Sequence, residues 1–257
     1  MSSPTDNLLL AALPPGERAD LLERMRPVTL ERGGVLYDQD APVHDVFFFT
    51  SGAASLLILM EDGHAMEPGI IGREGMLGFP IGLGDDRSRW RSVMQIAGDG
   101  LVMSRADLSA QLRRGGDLPA LLAHYAGLLI TLVAQSAACA QFHSLEQRTA
   151  RWLLLMRDRA AGDEFAITHE YLAYMLGANR PSETLILHSL ASRGVLELRR
   201  GSIRIADREA LERESCECYR RVQIEYDYNV EVRVGEGGGQ PYPDRDLPTG
   251  DRTTPRA

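Results

Sequence analysis

Lysine does not occur in this chain: all 28 basic residues among its 257 are arginine. Arginine clusters serve phosphate recognition, but a bias spread over the whole length reads as GC-rich coding and carries little functional weight. Cysteine is scarce too. Cys139, Cys216 and Cys218 are the only three, which excludes a disulfide framework for a chain of this size. No basic stretch followed by an apolar core stands at the N-terminus, so no secretory leader is expected. The longest apolar run, around 126–140, is interrupted by Thr131, Gln135 and Ser136. It falls short of the roughly 20 apolar residues of a membrane span. A reducing cytoplasmic setting without membrane contact is expected. A basic excess is also missing: 36 acidic residues leave a net charge of −8, so the whole chain is no basic nucleic-acid coat. The acidity is uneven, with +1 over residues 144–213 against −6 over 1–143 and −3 over 214–257.

The length suits two modest domains or one large one. Leu8–Met25 reads as a short amphipathic helix with Pro14-Pro15 marking a break or start inside it. From Pro27 to about Ser104 short β-rich runs follow: Val28–Leu30, Val35–Tyr37, Val46–Thr50, Ala54–Met60, Ser92–Ile96 and Leu101–Ser104. Gly, Asp and Pro separate them, a spacing that predicts an antiparallel sandwich or barrel. Asp62-Gly63 is a hairpin signal, since glycine accepts the positive φ of tight turns. Ala106–Arg114 reads as a helix, and a longer one runs from about Leu118 to Phe142 with leucines at three- and four-residue intervals. Ala134, Ala137, Ala138 and Ala140 permit close helix approach, so this helix is either packed on its own domain or forms a dimer seam. Ser144 and Gln147 offer a capping box for a further helix. Beyond Arg220 the periodicity fades into glycine and proline, which predicts a disordered tail over 221–257.

Thr168–Asp207 carries the functional signal. Thr168 suits the N-cap of a short helix through Leu176, with Leu172, Ala173 and Leu176 inward. Gly177 can end that helix in the left-handed conformation, and Ala178-Asn179 complete a turn. A second helix opens at Arg180-Pro181 and is expected to point Leu185, Ile186, Leu190 and Ala191 inward. Two helices joined by such a turn form a helix-turn-helix. Val195–Leu198 and Ser202–Ile205, around Arg199-Arg200-Gly201, add a β-hairpin wing. Arg180, Ser182, Glu183 and Thr184 occupy the tip of the second helix. There arginine can pair with guanine and glutamate can accept from cytosine. Arg199 and Arg200 would reach the phosphate backbone. Thr168 and Asn179 complete the set of candidate DNA contacts. Double-stranded DNA is thus favoured over a packed helical subdomain with a solvated Arg-rich turn.

With these residues in view, the chain resembles the Crp–Fnr family of bacterial transcription regulators over about Leu8–Tyr219. The resemblance rests on FFFTSGAASLLILMEDG, IGREGMLGFP, the long helix and ITHEYLAYMLGANRPSETLILHSLASRGVLELRRGSIRIADREALE, in that order. It implies an α+β fold: an antiparallel β-roll over 1–116, a dimerisation helix over 117–143 and a winged helix-turn-helix over 144–220. It also implies a homodimer reading an inverted repeat, with RNA polymerase as a further partner. Arg180 falls where the family commonly reads a base. Pro181 replaces the usual glutamate and Leu185 stands where some members have arginine, so the operator is not that of the best-known members.

Family members that bind cyclic nucleotide resemble one another in a Gly-Glu turn followed by an Arg-Ser/Thr pair. Gly72, Glu74, Gly75, Arg91 and Ser92 are the candidates here, but Arg73 intrudes between glycine and glutamate, and Arg91 is distant in sequence. A structural turn closing the roll is preferred, and no cofactor is expected. Gly72, Gly75 and Gly78 do not make a dinucleotide loop. No iron–sulfur cluster is expected, because the region before Cys139 has no cysteine. Cys139 and His143, one helical turn apart, are too few ligands for a metal. Cys216 and Cys218 hint at redox response, although an ordinary helix with thiols leads. Nothing in the spacing supports catalysis. The competing reading is a small-molecule-binding module whose winged helix docks a protein.

Overall fold

A computed structural model describes residues 3, 6–160 and 162–234. The N-terminal helix is two helices, α1 (Leu8–Ala11) and α2 (Pro15–Leu22), because Pro14 cannot continue the first. Asn7 caps α1 and is fully buried; its Nδ2 donates to the carbonyls of Phe49 and Gly75, each at 2.9 Å.

The roll consists of β1 (Arg26–Leu30), β2 (Val35–Tyr37), β3 (Asp45–Phe49), β4 (Ala53–Leu59), β5 (Ala65–Ile71), β6 (Met76–Leu77), β7 (Arg91–Ile96) and β8 (Gly98–Ser104). They form two antiparallel sheets, ordered β1-β8-β3-β6 and β2-β7-β4-β5. Phe48, Phe49, Leu56, Ile71, Met76, Leu77 and Met94 are buried in the core they contribute to. β5 and β6 stand outside the β-rich runs of the sequence. Pro68 and Gly69 interrupt the β-rich pattern of β5, and its register shifts against β4 between Leu56 and Ile58.

Helix α3 (Arg105–Arg114) leads into α4 (Leu118–Phe142), whose N-terminus is capped from a distance: the Glu17 carboxylate accepts from the amides of Asp117 and Leu118 at 2.8 and 3.2 Å. A carboxylate there meets unpaired amides and the positive end of the helix dipole. Against the sequence estimate, α4 is long and apolar enough to cross a membrane by length and composition alone. Here its leucine face packs on the chain's own core. Its opposite side, Ala123, Gly127, Ile130, Thr131, Ala134, Ala137, Ala138 and Phe142, is exposed.

The capping box at Ser144 and Gln147 forms as expected and starts α5 (Leu145–Arg157). There follow β9 (Glu164–Ala166), α6 (His169–Met175), α7 (Arg180–Ser192), β10 (Leu196–Arg199), β11 (Ser202–Ile205), α8 (Arg208–Glu214) and α9 (Glu217–Val234). The wing is a three-stranded antiparallel sheet, because β9 joins the hairpin in the order β10-β11-β9. The expected disorder from 221 is corrected over 221–234, which continue α9. Val222 is buried and the Tyr226 ring lies 5.0 Å under the Arg159 guanidinium, so this stretch has a packed face. Residues 235–257 lie outside the described residues.

Candidate nucleic-acid interface

Thr168 Oγ1 accepts from the Tyr171 amide at 3.2 Å and Asn179 Oδ1 from the Ser182 amide at 2.9 Å. Each caps the helix it precedes, α6 and α7 respectively. Gly177, at φ +60°, makes the turn between the two helices. The caps fix where α7 begins, and thus where Arg180 projects.

Two expectations about α7 are corrected. Glu183 is fully buried, and Leu185 is 72% exposed. The inward face is Glu183, Leu187 and Leu190, with Ile186 and Ala191 half-buried. This follows from spacing: 183, 187 and 190 share a stripe that Leu185 cannot join. The Thr149 hydroxyl of α5 lies 3.0 Å from Glu183 Oε1. Burial pushes the Glu183 carboxyl up to about 7, against the opposing pull of Thr149 and the Arg148 charge. Glu183 therefore braces α7 against α5 and cannot read cytosine from this position.

The outward face holds Arg180, Pro181, Leu185, His188 and Ser189, all exposed, with Ser182 and Thr184 half-buried beside them. Arg180 Nη1 stands 3.8 Å from Glu170 with both side chains largely exposed, so water and salt weaken the pair. His169 Nδ1 lies 3.3 Å from Thr184 Oγ1. Burial, then the neighbouring His188 and Arg180, lower the pKa of His169 and favour its neutral form. On the wing Arg199 reaches Glu164 at 3.0 Å and Glu197 at 3.5 Å, and Arg200 is exposed at the hairpin tip. These surface pairs are weak enough for phosphate to displace the carboxylates.

The glycine turn of the roll is filled from within. Glu74 Oε1 accepts from the Gly72 amide at 2.9 Å and pairs with Arg159 Nη2 at 2.6 Å, both side chains nearly buried. Arg159 was not anticipated; it follows α5 in sequence, and no local pattern announces a partner 85 residues away. A Cβ on Gly75 would stand 2.1 Å from the Tyr125 hydroxyl of α4, so glycine permits that helix to approach. That hydroxyl accepts from the Met76 amide at 3.2 Å. Arg91 instead faces Asp38 at 3.3 Å, and Ser92 is buried with its hydroxyl unpartnered. Two further bonds tie roll to C-terminal segment. Trp152 Nε1 donates to Glu67 at 2.8 Å, and Gln95 Nε2 donates to Tyr171 at 2.6 Å. Burial pushes the Glu67 carboxyl up to about 7, against the hydrogen bonds from Ser55 and Trp152.

The order roll, long helix, winged helix-turn-helix defines a transcription regulator that joins an N-terminal β-roll to a C-terminal DNA-binding module. The Crp-like helix-turn-helix domain matches residues 147–214. The cyclic AMP receptor protein of Thermus thermophilus is 26% identical over 188 residues, covering 69% of this chain and 85% of that protein. FixK2 from Bradyrhizobium japonicum superposes with a TM-score of 0.63 at 16% identity, covering 75% of this chain and 98% of that one. The c-di-GMP responsive global regulator CLP of Xanthomonas campestris gives a TM-score of 0.60 at 15% identity, covering 75% and 99%. The solved structures establish the fold, and the domain match and the curated relative support a transcription regulator of the Crp–Fnr family. That family is not one of enzymes.

Proposed function

We propose that this protein is a cytoplasmic homodimer that binds an inverted-repeat operator sequence-specifically, with RNA polymerase as a further partner. The observation that carries the reading is the division of α7: one face is buried against α5 and the wing, and its capped N-terminal end is free for a major groove. Arg180 is assigned to a guanine edge, and Ser182 and Thr184 to phosphate or base. Leu185 adds an apolar contact suited to a thymine methyl group. Arg199 and Arg200 meet the backbone beside the groove. Thr168 and Asn179 serve by capping, and Glu183 by bracing.

Dimerisation is assigned to the exposed side of α4. Small residues recur there at three- and four-residue intervals, a surface that lets a second helix come close. The turn over Gly72–Gly75 acts as a joint with α4 and α5 rather than as a cradle for cyclic phosphate. Glu74 is engaged by Arg159, and Tyr125 closes over Gly75. Selection of fragments from the source genome by the purified protein tests the proposal. A salt-sensitive complex with a recurring two-fold symmetric sequence is expected. Binding that ignores sequence, or capture of a protein partner in place of DNA, would overturn it.

A further inference from the structure

Cys139 lies in the last turn of α4 and His143 caps that helix, while Cys216 and Cys218 stand at the start of α9, 77 residues from Cys139 and 75 from His143 respectively. The chain nevertheless brings one ligand atom of each within 4.8 Å of the other three. Cys139 Sγ is 3.5 Å from Cys216 Sγ, and His143 Nδ1 is 3.5 Å from Cys218 Sγ. The thiols are almost inaccessible at 1%, 4% and 1% exposure, and they form a small buried cluster apart from the main core. This corrects the expectation of too few ligands: sequence spacing offered Cys139 and His143 alone, and folding adds the other two.

We propose that Cys139, His143, Cys216 and Cys218 bind one Zn²⁺ ion in a closed tetrahedral site. With Zn–S bonds of about 2.3 Å and a Zn–N bond of about 2.0–2.1 Å, the donor atoms of such a site lie under 4 Å apart. Small side-chain rotations bring the four observed atoms to that spacing. A polynuclear iron–sulfur cluster would need its thiolates further apart. The surrounding groups fit as well. His143 Nε2 lies 3.2 Å from Glu217 Oε2. With its proton on Nε2 and directed to that carboxylate, the ring presents the bare Nδ1 to the ion, the usual orientation of a metal-bound histidine. Gln135 Nε2 donates to Cys218 Sγ at 2.9 Å and so orients that sulfur. Three thiolates and a divalent ion leave one negative charge in excess. The Arg151 guanidinium lies nearby; its Nη2 donates to Ser136, three residues before Cys139, and its buried Nε has no hydrogen-bond partner. On binding, each thiol releases its proton to solvent and no redox change occurs. The ion fastens the end of α4, and hence the proposed dimer helix, to the helix that follows the winged domain.

The test uses the full-length protein, purified with reductant and stripped of metal, with Co²⁺ and then Zn²⁺ as probes. One Co²⁺ per chain is expected, with the visible bands and sulfur charge-transfer absorption of a tetrahedral thiolate site, bleached by one equivalent of Zn²⁺. In the zinc form the three thiols should resist a thiol reagent and become reactive after chelation. Cys216→Ser and Cys218→Ser should each abolish stoichiometric Zn²⁺ retention, and Glu217→Gln should weaken it roughly 10- to 100-fold. Circular dichroism checks that each variant is folded. If one is not, thiol protection in the unmodified protein decides. Absence of a stoichiometric ion overturns the proposal, as do thiols equally reactive with and without Zn²⁺. Recovery of Cys139 and Cys216 as a disulfide with Zn²⁺ present does the same.

Discussion

Glu74 and Arg159 form an ion pair across the joint between the roll and the C-terminal segment, at 2.6 Å from Nη2 and 2.8 Å from Nε to the same Oε1. Their side chains are 12% and 6% exposed. Removing one partner strands the other charge in a poorly hydrated place. Arg159→Leu should therefore lower the free energy of unfolding by about 3–5 kcal/mol. Glu74→Gln combined with Arg159→Met should recover much of that loss. Urea unfolding of the three variants measures it; a single variant as stable as the parent would show that the pair contributes nothing.

Glu67 and Glu183 give the protein a stability that depends on pH. Both carboxyls are pushed up to about 7 from an ordinary value of 4.5, chiefly by burial. The folded chain holds these protons more tightly than the unfolded chain does, so their contribution is full below about 4.5. It declines as pH rises, and is lost above about 7. Each group should contribute about 1–3 kcal/mol to that decline. Glu67→Gln and Glu183→Gln should each flatten the profile between these limits, read by thermal unfolding at a series of pH values. An unchanged slope in both variants would contradict the assignment.

The outward residues of α7 and the wing should separate into two kinds. Arg180→Ala should cost about 1–3 kcal/mol for the preferred base pair at one position of each half-site and little at the others. Leu185→Ala should relax a preference for thymine at another position. Arg200→Ala should weaken binding to all sequences and reduce the salt dependence by about one counterion. Fluorescence anisotropy on operators varied one base pair at a time, at several salt concentrations, distinguishes these outcomes. Equal, sequence-blind losses would remove the roles given to Arg180 and Leu185.

Ile130, 70% exposed on the small-residue side of α4, should be central to pairing. Ile130→Arg places charge in the seam without touching the leucine face that packs on the chain's own core. A folded monomer with at least tenfold weaker operator binding is expected by sedimentation velocity and anisotropy. A variant that still sediments as a dimer would move the interface elsewhere.

Sequence periodicity exposed the roll strands with unbroken β-rich runs, the α4 leucine stripe and the caps at Ser144 and Thr168, because each is decided within a few residues. It failed where distant groups decide. Leu185 was expected inward on hydrophobicity, and Glu183 outward on charge. The stripe geometry of α7, with Thr149 waiting on α5, reverses both. Pro68 and Gly69 disguised β5, whose pairing with β4 supplies what local propensity lacks. Arg159 had no local signal, and Cys216 and Cys218 hinted at redox response alone, since the partners of all three lie on other elements.

In the proposed assembly, two copies of α7 meet one face of a duplex. Hydroxyl-radical footprinting of the operator chosen from genomic fragments tests it most directly. Two protected patches, related by a two-fold axis and centred about 10–10.5 base pairs or a multiple apart on the same face, are predicted. A single unpaired patch, or protection that does not follow the half-sites, would rule out that paired arrangement.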